Sequence, residues 1–428
     1  MDDNKILSLF SDSSSVKDFF IENINVTLLW IVEILSNNCT EFNKAIINGT
    51  KICNFEIKQI GEGKGFISYV YRIILYLTNG ETFSFILKFQ TSKILNDGAD
   101  VQSGEVEFIS KEEVSNFHNN ECLFYKLFND IPNFRIPKVY YTQNYRINLH
   151  DGLLLLEDLT RVSNHIECYR SFNIYQIESI FDQIFILQST SMSLKDKEWL
   201  GKLARPINDN DFLFFSQFAL EHWKELTKVL PHSLYKHLEE PLEALISHWK
   251  DTIIVNCYTF KEETSNEVVL AHGDMWNNNI LFKIDSNGNP TNEVEALIDW
   301  QVLHITSTGH DLAKTLIYCT DPYIRKEAEE VLLKKFFYKL KDTTSKDGTK
   351  FTMTFDLFMK NYKYAFIECT LMFLMNIGFS LKGCGMPTED CDSVWYERKF
   401  NIGIRIIKSV ADAVDYAKEL KPEWLIKN

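Results

Sequence analysis

The chain has no excess of positive charge: 45 Lys and Arg against 59 Asp and Glu leave a net charge of −14 and a pI near 5.3. A nucleic-acid binder needs a basic footprint, and docking on anionic lipid needs clustered cations, so both classes are disfavoured. No C-x-x-C pair occurs among the nine cysteines, which lie at positions 39, 53, 122, 168, 257, 319, 369, 384 and 391. Their number is odd, and the closest two, Cys384 and Cys391, do not have a common zinc spacing. Scattered reduced thiols in a cytoplasmic protein are the expectation. The P-loop pattern G-x-x-x-x-G-K-[ST] is missing. The opening MDDNKILSLFSDSSS lacks the basic and apolar regions of a secretory signal. The most apolar stretch, Ala365 to Leu381, contains Glu368, Asn376 and Gly378. It falls short of a comfortable membrane span, so a buried helix is expected there, without membrane insertion. Internal repeats and low-complexity tracts are also missing.

What is present is an ordinary globular balance, 45% hydrophobic and 24% charged, over 428 residues. That length suits two or three domains or one two-lobed enzyme. The most informative stretch is His272-Gly273-Asp274-Met275-Trp276-Asn277-Asn278-Asn279, with Asp299 following. Apolar triplets flank it: Val268-Val269-Leu270, Ile280-Leu281-Phe282 and Ala296-Leu297-Ile298. The pattern predicts strand, polar loop, strand, turn and a further short strand. Buried strands would then bring Asp274, Asn279 and Asp299 together on loops. Phosphoryl transfer needs a carboxylate to orient a hydroxyl, plus an amide and a second carboxylate for magnesium. Asp274 and Asn279 have the D-x-x-x-x-N spacing of a kinase catalytic loop.

Upstream, Phe55 to Ile60 alternates like a strand, and Gly61-Glu62-Gly63-Lys64-Gly65 follows. A second strand, Ile67 to Leu77, leads through the hairpin signal Asn79-Gly80 into Thr82 to Phe89. Glycines at 61, 63 and 65 let backbone amides approach phosphate oxygens. A hairpin follows this loop where a dinucleotide fold would have a helix. Lys88, among apolar neighbours on the third strand, is placed to contact the α- and β-phosphates of ATP; Lys64 is a further candidate. The next helix, about 111 to 128, offers Glu112, Glu113 and Glu121 as partners for Lys88. Glu121 is preferred because a carboxylate in the apolar half of the helix needs a counter-ion. Leu153 to Leu156 then runs into Glu157-Asp158-Leu159, a hinge whose backbone at Glu157 and Leu159 would read an adenine edge.

The remainder reads as helices: an apolar one over Asn25–Leu35, then 173–192, 211–229, 241–258, 323–340, 359–379 and 400–418. A polar loop is expected over 341–350. Phe212, Phe214, Phe215, Phe218, Trp223 and Trp249 are core residues or the lining of a pocket for a bulky apolar molecule. Asp311 is expected to start a helix and tie down the catalytic loop.

Taken in order, IGEGKGF, HNNECLFYK, LEDL, HGDMWNNNILF and IDWQ resemble the ecdysteroid kinase-like family, a choline-kinase-like branch of the aminoglycoside phosphotransferase kinases. The resemblance covers about 55 to 418. It implies an α+β, two-lobed protein-kinase-like fold with a small antiparallel-sheet N-lobe and a large, mainly helical C-lobe. Residues 1–54 would be a helical extension, 55–159 the N-lobe and hinge, and 160–428 the C-lobe. It further implies transfer of the γ-phosphate of ATP to a hydroxyl of a small molecule, with Asp274 as catalytic base, Asn279 and Asp299 on Mg2+, Lys88 paired with Glu121, and His272 and Asp311 supporting the loop. The favoured acceptor is a steroid or lipophilic xenobiotic alcohol. A choline- or ethanolamine-type kinase and a pseudokinase that binds without turnover are the competing readings. Gly273 replaces the Arg of a protein kinase H-R-D, Trp300-Gln301 follows Asp299, and only 11 residues separate Asp299 from Asp311. That leaves no room for a peptide platform, so a small acceptor is favoured. The residues do not define an oligomeric state.

Overall fold

The computed structural model describes residues 6–12, 16, 19–21, 24, 26–61, 68–90, 110–194, 202, 203, 205, 209–263, 265–346, 350–386 and 393–427. The chain divides into two units. Unit 1 comprises 1–131 and 136–161, and unit 2 comprises 132–135 and 162–428.

Unit 1 begins with helices α1 (Leu28–Asn38) and α2 (Thr40–Ala45). The Thr27 hydroxyl accepts the Trp30 N–H at 3.2 Å and fixes the start of α1, three residues beyond the start of the apolar run. Leu28, Ile31, Val32 and Leu35 fall on one buried face, the i, i+3, i+4, i+7 spacing of an amphipathic helix. Strands β1 (Ile52–Ile60), β2 (Ser68–Leu77) and β3 (Thr82–Gln90) follow. After helix α3 (Lys111–Phe128) come β4 (Val139–Gln143) and β5 (Leu153–Glu157). The sheet order is β1-β2-β3-β5-β4, every ladder antiparallel. The β2–β3 hairpin forms where Asn79-Gly80 signals one, but its loop has three residues, Thr78 to Gly80, in place of two: the Leu77 N–H donates to Glu81 O and the Gly80 N–H to Leu77 O, each at 2.9 Å, and of the Asn-Gly pair only Gly80, at φ +84°, is left-handed. The buried face of α1 shares one core with Ile73, Leu75, Phe85 and Leu87, so the N-terminal helices and the sheet are one body.

Unit 2 is mainly helical. It contains β6 (Ser163–Asn164), α4 (Ile174–Ser193), α5 (Asp209–Thr227), α6 (Glu239–Ser247) and α7 (Trp249–Cys257). Strands β7 (Val269–Ala271), β8 (Ile280–Ile284), β9 (Pro290–Leu297) and β10 (His304–Thr306) follow. Helices α8 (His310–Cys319), α9 (Pro322–Lys346), α10 (Phe355–Gly383) and α11 (Ser393–Leu420) complete it. The small sheets are β6-β8-β9 and β10-β7. An antiparallel sheet carrying a lysine and a helix with its glutamate, followed by a helical unit with short β-hairpins, is the α+β element order of a protein-kinase-like fold.

Two expected elements are corrected. The helix anticipated over 241–258 is broken at His248 (φ −103°, ψ 14°). Its ring nitrogens lie 2.8 Å from Asp251 Oδ2 and 3.0 Å from Ile426 O, so a tertiary contact holds the break. The loop anticipated from 341 is helix through Lys346, where Thr344 is buried and its hydroxyl donates to Leu340 O at 2.7 Å. Helix α10 is long and apolar enough to cross a membrane, and 78% of its apolar window is buried inside the protein.

His118 locks α3 against the β4–β5 hairpin. A Cβ at Gly152 would lie 2.3 Å from its ring, and its Nε2 is 2.7 Å from Gln143 O. Burial pushes the His118 pKa down to about 4. Between pH 6.5 and that value the unfolded chain binds a proton the folded one does not, so stability falls as the pH drops through this window. The full loss is about 3 kcal/mol. In urea titrations at pH 7 and pH 5, His118→Gln is expected to lose less stability between the two than the unsubstituted chain; an equal loss would contradict the assignment.

Candidate active site

The centre of unit 2 is the loop between β7 and β8. Gly273 has φ +81°, a left-handed conformation natural to glycine. A Cβ there would come 2.5 Å from Val302 O and 2.8 Å from His304 Nδ1. This explains glycine where a protein kinase has arginine: no side chain fits. The two amides exposed by the turn are captured by one carboxylate. Asp311, in the first turn of α8, accepts the His272 N–H at 2.7 Å and the Gly273 N–H at 3.0 Å. Burial would raise the Asp311 pKa, but His310, His272 and the Gly273 amide together hold it below the usual carboxylate range. Burial also opposes charge on His310, yet Cys369, Asp311 and Glu368 lift its pKa well above the ordinary value.

His272 ties the loop to the chain that carries Asp299. The Asp274 N–H donates to His272 Nδ1 at 3.2 Å, which leaves the proton on Nε2, 3.0 Å from Ile298 O. Burial holds the His272 pKa down, consistent with this neutral tautomer. Its ring packs on Trp300, centroids 4.3 Å apart. The Ile298 N–H donates to Asn279 O at 3.0 Å. Asp274, Asn279 and Asp299 are thus joined through neighbouring backbone and side-chain bonds. Asn279 Nδ2 donates to Asp274 O and to Asp274 Oδ2, both at 3.0 Å. Asp299 sits at φ +69°, left-handed for a residue with a Cβ, the kind of strain that persists where surrounding structure imposes it.

In unit 1, Lys88 Nζ lies 2.7 Å from Glu121 Oε2, both side chains buried. The other acids of α3 are engaged elsewhere or exposed: Glu113 closes a capping box with Ser110, and Glu112 faces solvent. Gly61 has φ +69°, and among the described residues, its chain neighbours aside, no atom comes within 4 Å of where a Cβ would stand. Gly63 and Gly65, with Lys64, lie outside the described residues. The Glu157 N–H already donates to Lys138 O at 2.9 Å, so a contact from Glu157 to an adenine edge falls to its carbonyl. Leu159 is buried beside it.

Sequence reasoning missed three features. Lys314 reaches back to the loop, with Nζ 2.5 Å from Gly273 O and 3.0 Å from Asp274 Oδ1. Its signal was the spacing to Asp311, three residues earlier on one helix face. Glu368, midway along α10, is fully buried and paired with Arg205; it also accepts from Asn256 Nδ2 at 2.9 Å and lies 3.8 Å from His310 Nε2. The thiols of Cys168 and Cys384 lie 3.6 Å apart, a proximity no local pattern could announce.

Asp311→Asn keeps one acceptor oxygen but turns an NH2 toward the second amide, which is buried. The expected cost is on the order of 3 kcal/mol in urea denaturation. A change below about 0.5 kcal/mol, the level of an uninvolved surface position, would mean the two amides do not depend on this carboxylate.

The chain resembles several known proteins. A curated Caenorhabditis elegans protein named "Uncharacterized oxidoreductase dhs-27" is 26% identical over 381 residues, which cover 85% of this chain and 43% of that protein. The chain therefore spans less than half the length of this relative. Among solved structures, an aminoglycoside 2'-phosphotransferase-IIIa in complex with GDP has a TM-score of 0.40 at 13% identity, covering 83% of this chain and 95% of that one. A putative aminoglycoside phosphotransferase of Ralstonia eutropha has a TM-score of 0.40 at 12% identity, covering 86% and 93%. The macrolide 2'-phosphotransferase MphH of Brachybacterium faecium has 0.36 at 11%, covering 81% and 98%. A family model described as "Uncharacterized oxidoreductase dhs-27" matches residues 50–396, most of the chain, which therefore belongs to that family, DUF1679.

Proposed function

We propose that the chain is an ATP-dependent phosphotransferase that moves the γ-phosphate of ATP to a hydroxyl group of a small molecule. The observation that carries this reading is the clamp on Asp274. Its loop is held by Asp311, and its carboxylate by Asn279 at Oδ2 and Lys314 at Oδ1. A carboxylate fixed in this way presents a lone pair in a set direction, as a group that orients an acceptor hydroxyl must.

Asn279 and Asp299 are the residues to hold Mg2+. An amide oxygen and a carboxylate are hard donors, and magnesium is commonly held by few protein oxygens together with phosphate and water. Because Asn279 Nδ2 donates to Asp274, its amide oxygen is the atom that would serve the metal. When bound, the metal neutralises charge on the phosphate oxygens. In unit 1, Lys88, held by Glu121, is the residue to contact the phosphates, with the backbone near Gly61. Burial of both members of that pair fixes the ammonium in one place.

The acceptor is best read as a steroid or other lipophilic alcohol. Phe212, Phe214, Phe215 and Phe218 on α5 are only half-buried, and Phe218 packs 4.9 Å from Phe379 of α10. An apolar aromatic surface in the unit that carries Asp274 suits an apolar acceptor better than a heavily charged one. The short span between Asp299 and Asp311 favours a small acceptor over a peptide.

The oxidoreductase in the relative's name is not carried over. Dinucleotide folds bind through a parallel βαβ unit, and every strand ladder among the described residues is antiparallel.

The test is Mg-ATP turnover against ecdysteroids, hydroxylated xenobiotics, choline and ethanolamine, with Asp274→Ala alongside. Turnover with a lipophilic alcohol, reduced at least about 100-fold in Asp274→Ala, is expected. Nucleotide binding with neither acceptor turnover nor background hydrolysis would favour the pseudokinase reading; hydride transfer from a nicotinamide cofactor would refute ours.

A further inference from the structure

A lysine taken out of water must find partners for its ammonium, or the burial costs several kcal/mol. Lys314 is 4% exposed. Its ammonium meets Gly273 O and Asp274 Oδ1, and lies 5.2 Å from the centre of the Tyr318 ring, one turn further along α8. Its acid partner is the more open of the two: 26% of the Asp274 side chain is exposed. The pair is therefore closed on the lysine side and open on the aspartate side.

The geometry at Asp274 gives this asymmetry a purpose. Asn279 Nδ2 holds Oδ2 and Lys314 Nζ holds Oδ1, each at 3.0 Å. Two donors on opposite oxygens stop the carboxylate from rotating about its Cβ–Cγ bond. The second Lys314 contact, to Gly273 O, refers that orientation to the backbone immediately before Asp274. Asp311 and Lys314 lie three residues apart on α8 and act on the same loop, one on its amides and the other on its carbonyl and carboxylate.

We infer that Lys314 is a positioning residue for Asp274, aiming the carboxylate lone pair at the acceptor hydroxyl. This rests on the phosphotransfer reading above. In that reaction the acceptor O–H bond breaks and its proton passes to Asp274. The acceptor oxygen bonds to the γ-phosphorus while the bond to the bridging oxygen breaks, and that electron pair leaves on ADP. An unaimed carboxylate is present in the site but seldom in line, and misplacement of about 1 Å costs on the order of 100-fold in rate. Lys314 acts through Asp274, so its effect falls on kcat and leaves nucleotide binding nearly unchanged.

Steady-state Mg-ATP turnover of the full chain, with water or the best alcohol of the panel as acceptor, tests this in Lys314→Met, Lys314→Arg and Asp274→Ala and in the double variant Lys314→Met with Asp274→Ala. Lys314→Met should lower kcat about 100-fold, with KM for Mg-ATP within about threefold. Lys314→Arg should recover part of the loss. In the Asp274→Ala background, Lys314→Met should cost less than about threefold, because the group it aims is gone. If Lys314→Met does not fold, Lys314→Gln, which keeps a donor for Gly273 O, takes its place with the same expectation. A neutral variant with kcat within threefold of the unsubstituted chain overturns the inference alone, as does an undiminished loss in the Asp274→Ala background. An unsubstituted chain with no Mg-ATP turnover overturns the phosphotransfer reading and this inference together.

Discussion

One carboxylate holds the centre of unit 2 in place. Asp311 accepts two consecutive backbone amides, of His272 and Gly273, in a fully buried setting. Each amide would otherwise be an unsatisfied donor away from water, at a cost of about 1–3 kcal/mol. The turn that exposes them is available because residue 273 is glycine, which tolerates φ +81° and the approach of the Val302 carbonyl. Asp311 is itself accommodated by His310, which Glu368 and Cys369 help to keep charged. The charge on α8 is balanced from α10 through Glu368, which also meets Arg205 and Asn256. A buried glutamate in the middle of an otherwise apolar helix thereby acquires a structural reason.

From this anchor the remaining geometry follows outward. The fixed turn sets His272, whose ring bonds Ile298 O and packs on Trp300. The Ile298 amide reaches Asn279 O, and the next residue, Asp299, has a left-handed backbone. Asn279 closes the circuit by bonding Asp274. A chain of short contacts thus runs through His272, Ile298, Asn279 and Asp274, and none of the carboxylates is placed by a long, flexible loop. Sites that do chemistry by orientation need this rigidity.

Much of this was legible in the sequence, for local reasons. The D-x-x-x-x-N spacing with strand-like flanks located the loop, and the acid at the start of α8 was readable as its anchor. The Lys88–Glu121 contact was readable because a glutamate on the apolar half of a helix requires a cation. The β2–β3 hairpin was readable from Asn79-Gly80, although its loop has three residues and only Gly80 is left-handed. What stayed hidden depends on residues distant in the chain. The break at His248 is held by a carbonyl at Ile426, 178 residues away. The extension of α9 rests on burial of Thr344, which a polar run conceals. The approach of Cys168 to Cys384 spans 216 residues. Lys314 belongs with these: its partners, Gly273 O and Asp274 Oδ1, lie 41 and 40 residues earlier in the chain.

The proposed phosphotransfer requires Asp274, Asn279 and Asp299 to form one phosphoryl-transfer centre. The most direct test is a crystal structure with Mg2+ and the non-hydrolysable analogue AMP-PNP. The expected result is a metal within about 2.1 Å of Asn279 Oδ1 and an Asp299 carboxylate oxygen, and a terminal phosphate facing Asp274. A nucleotide bound away from the β7–β8 loop, or a metal held by other side chains, would contradict it.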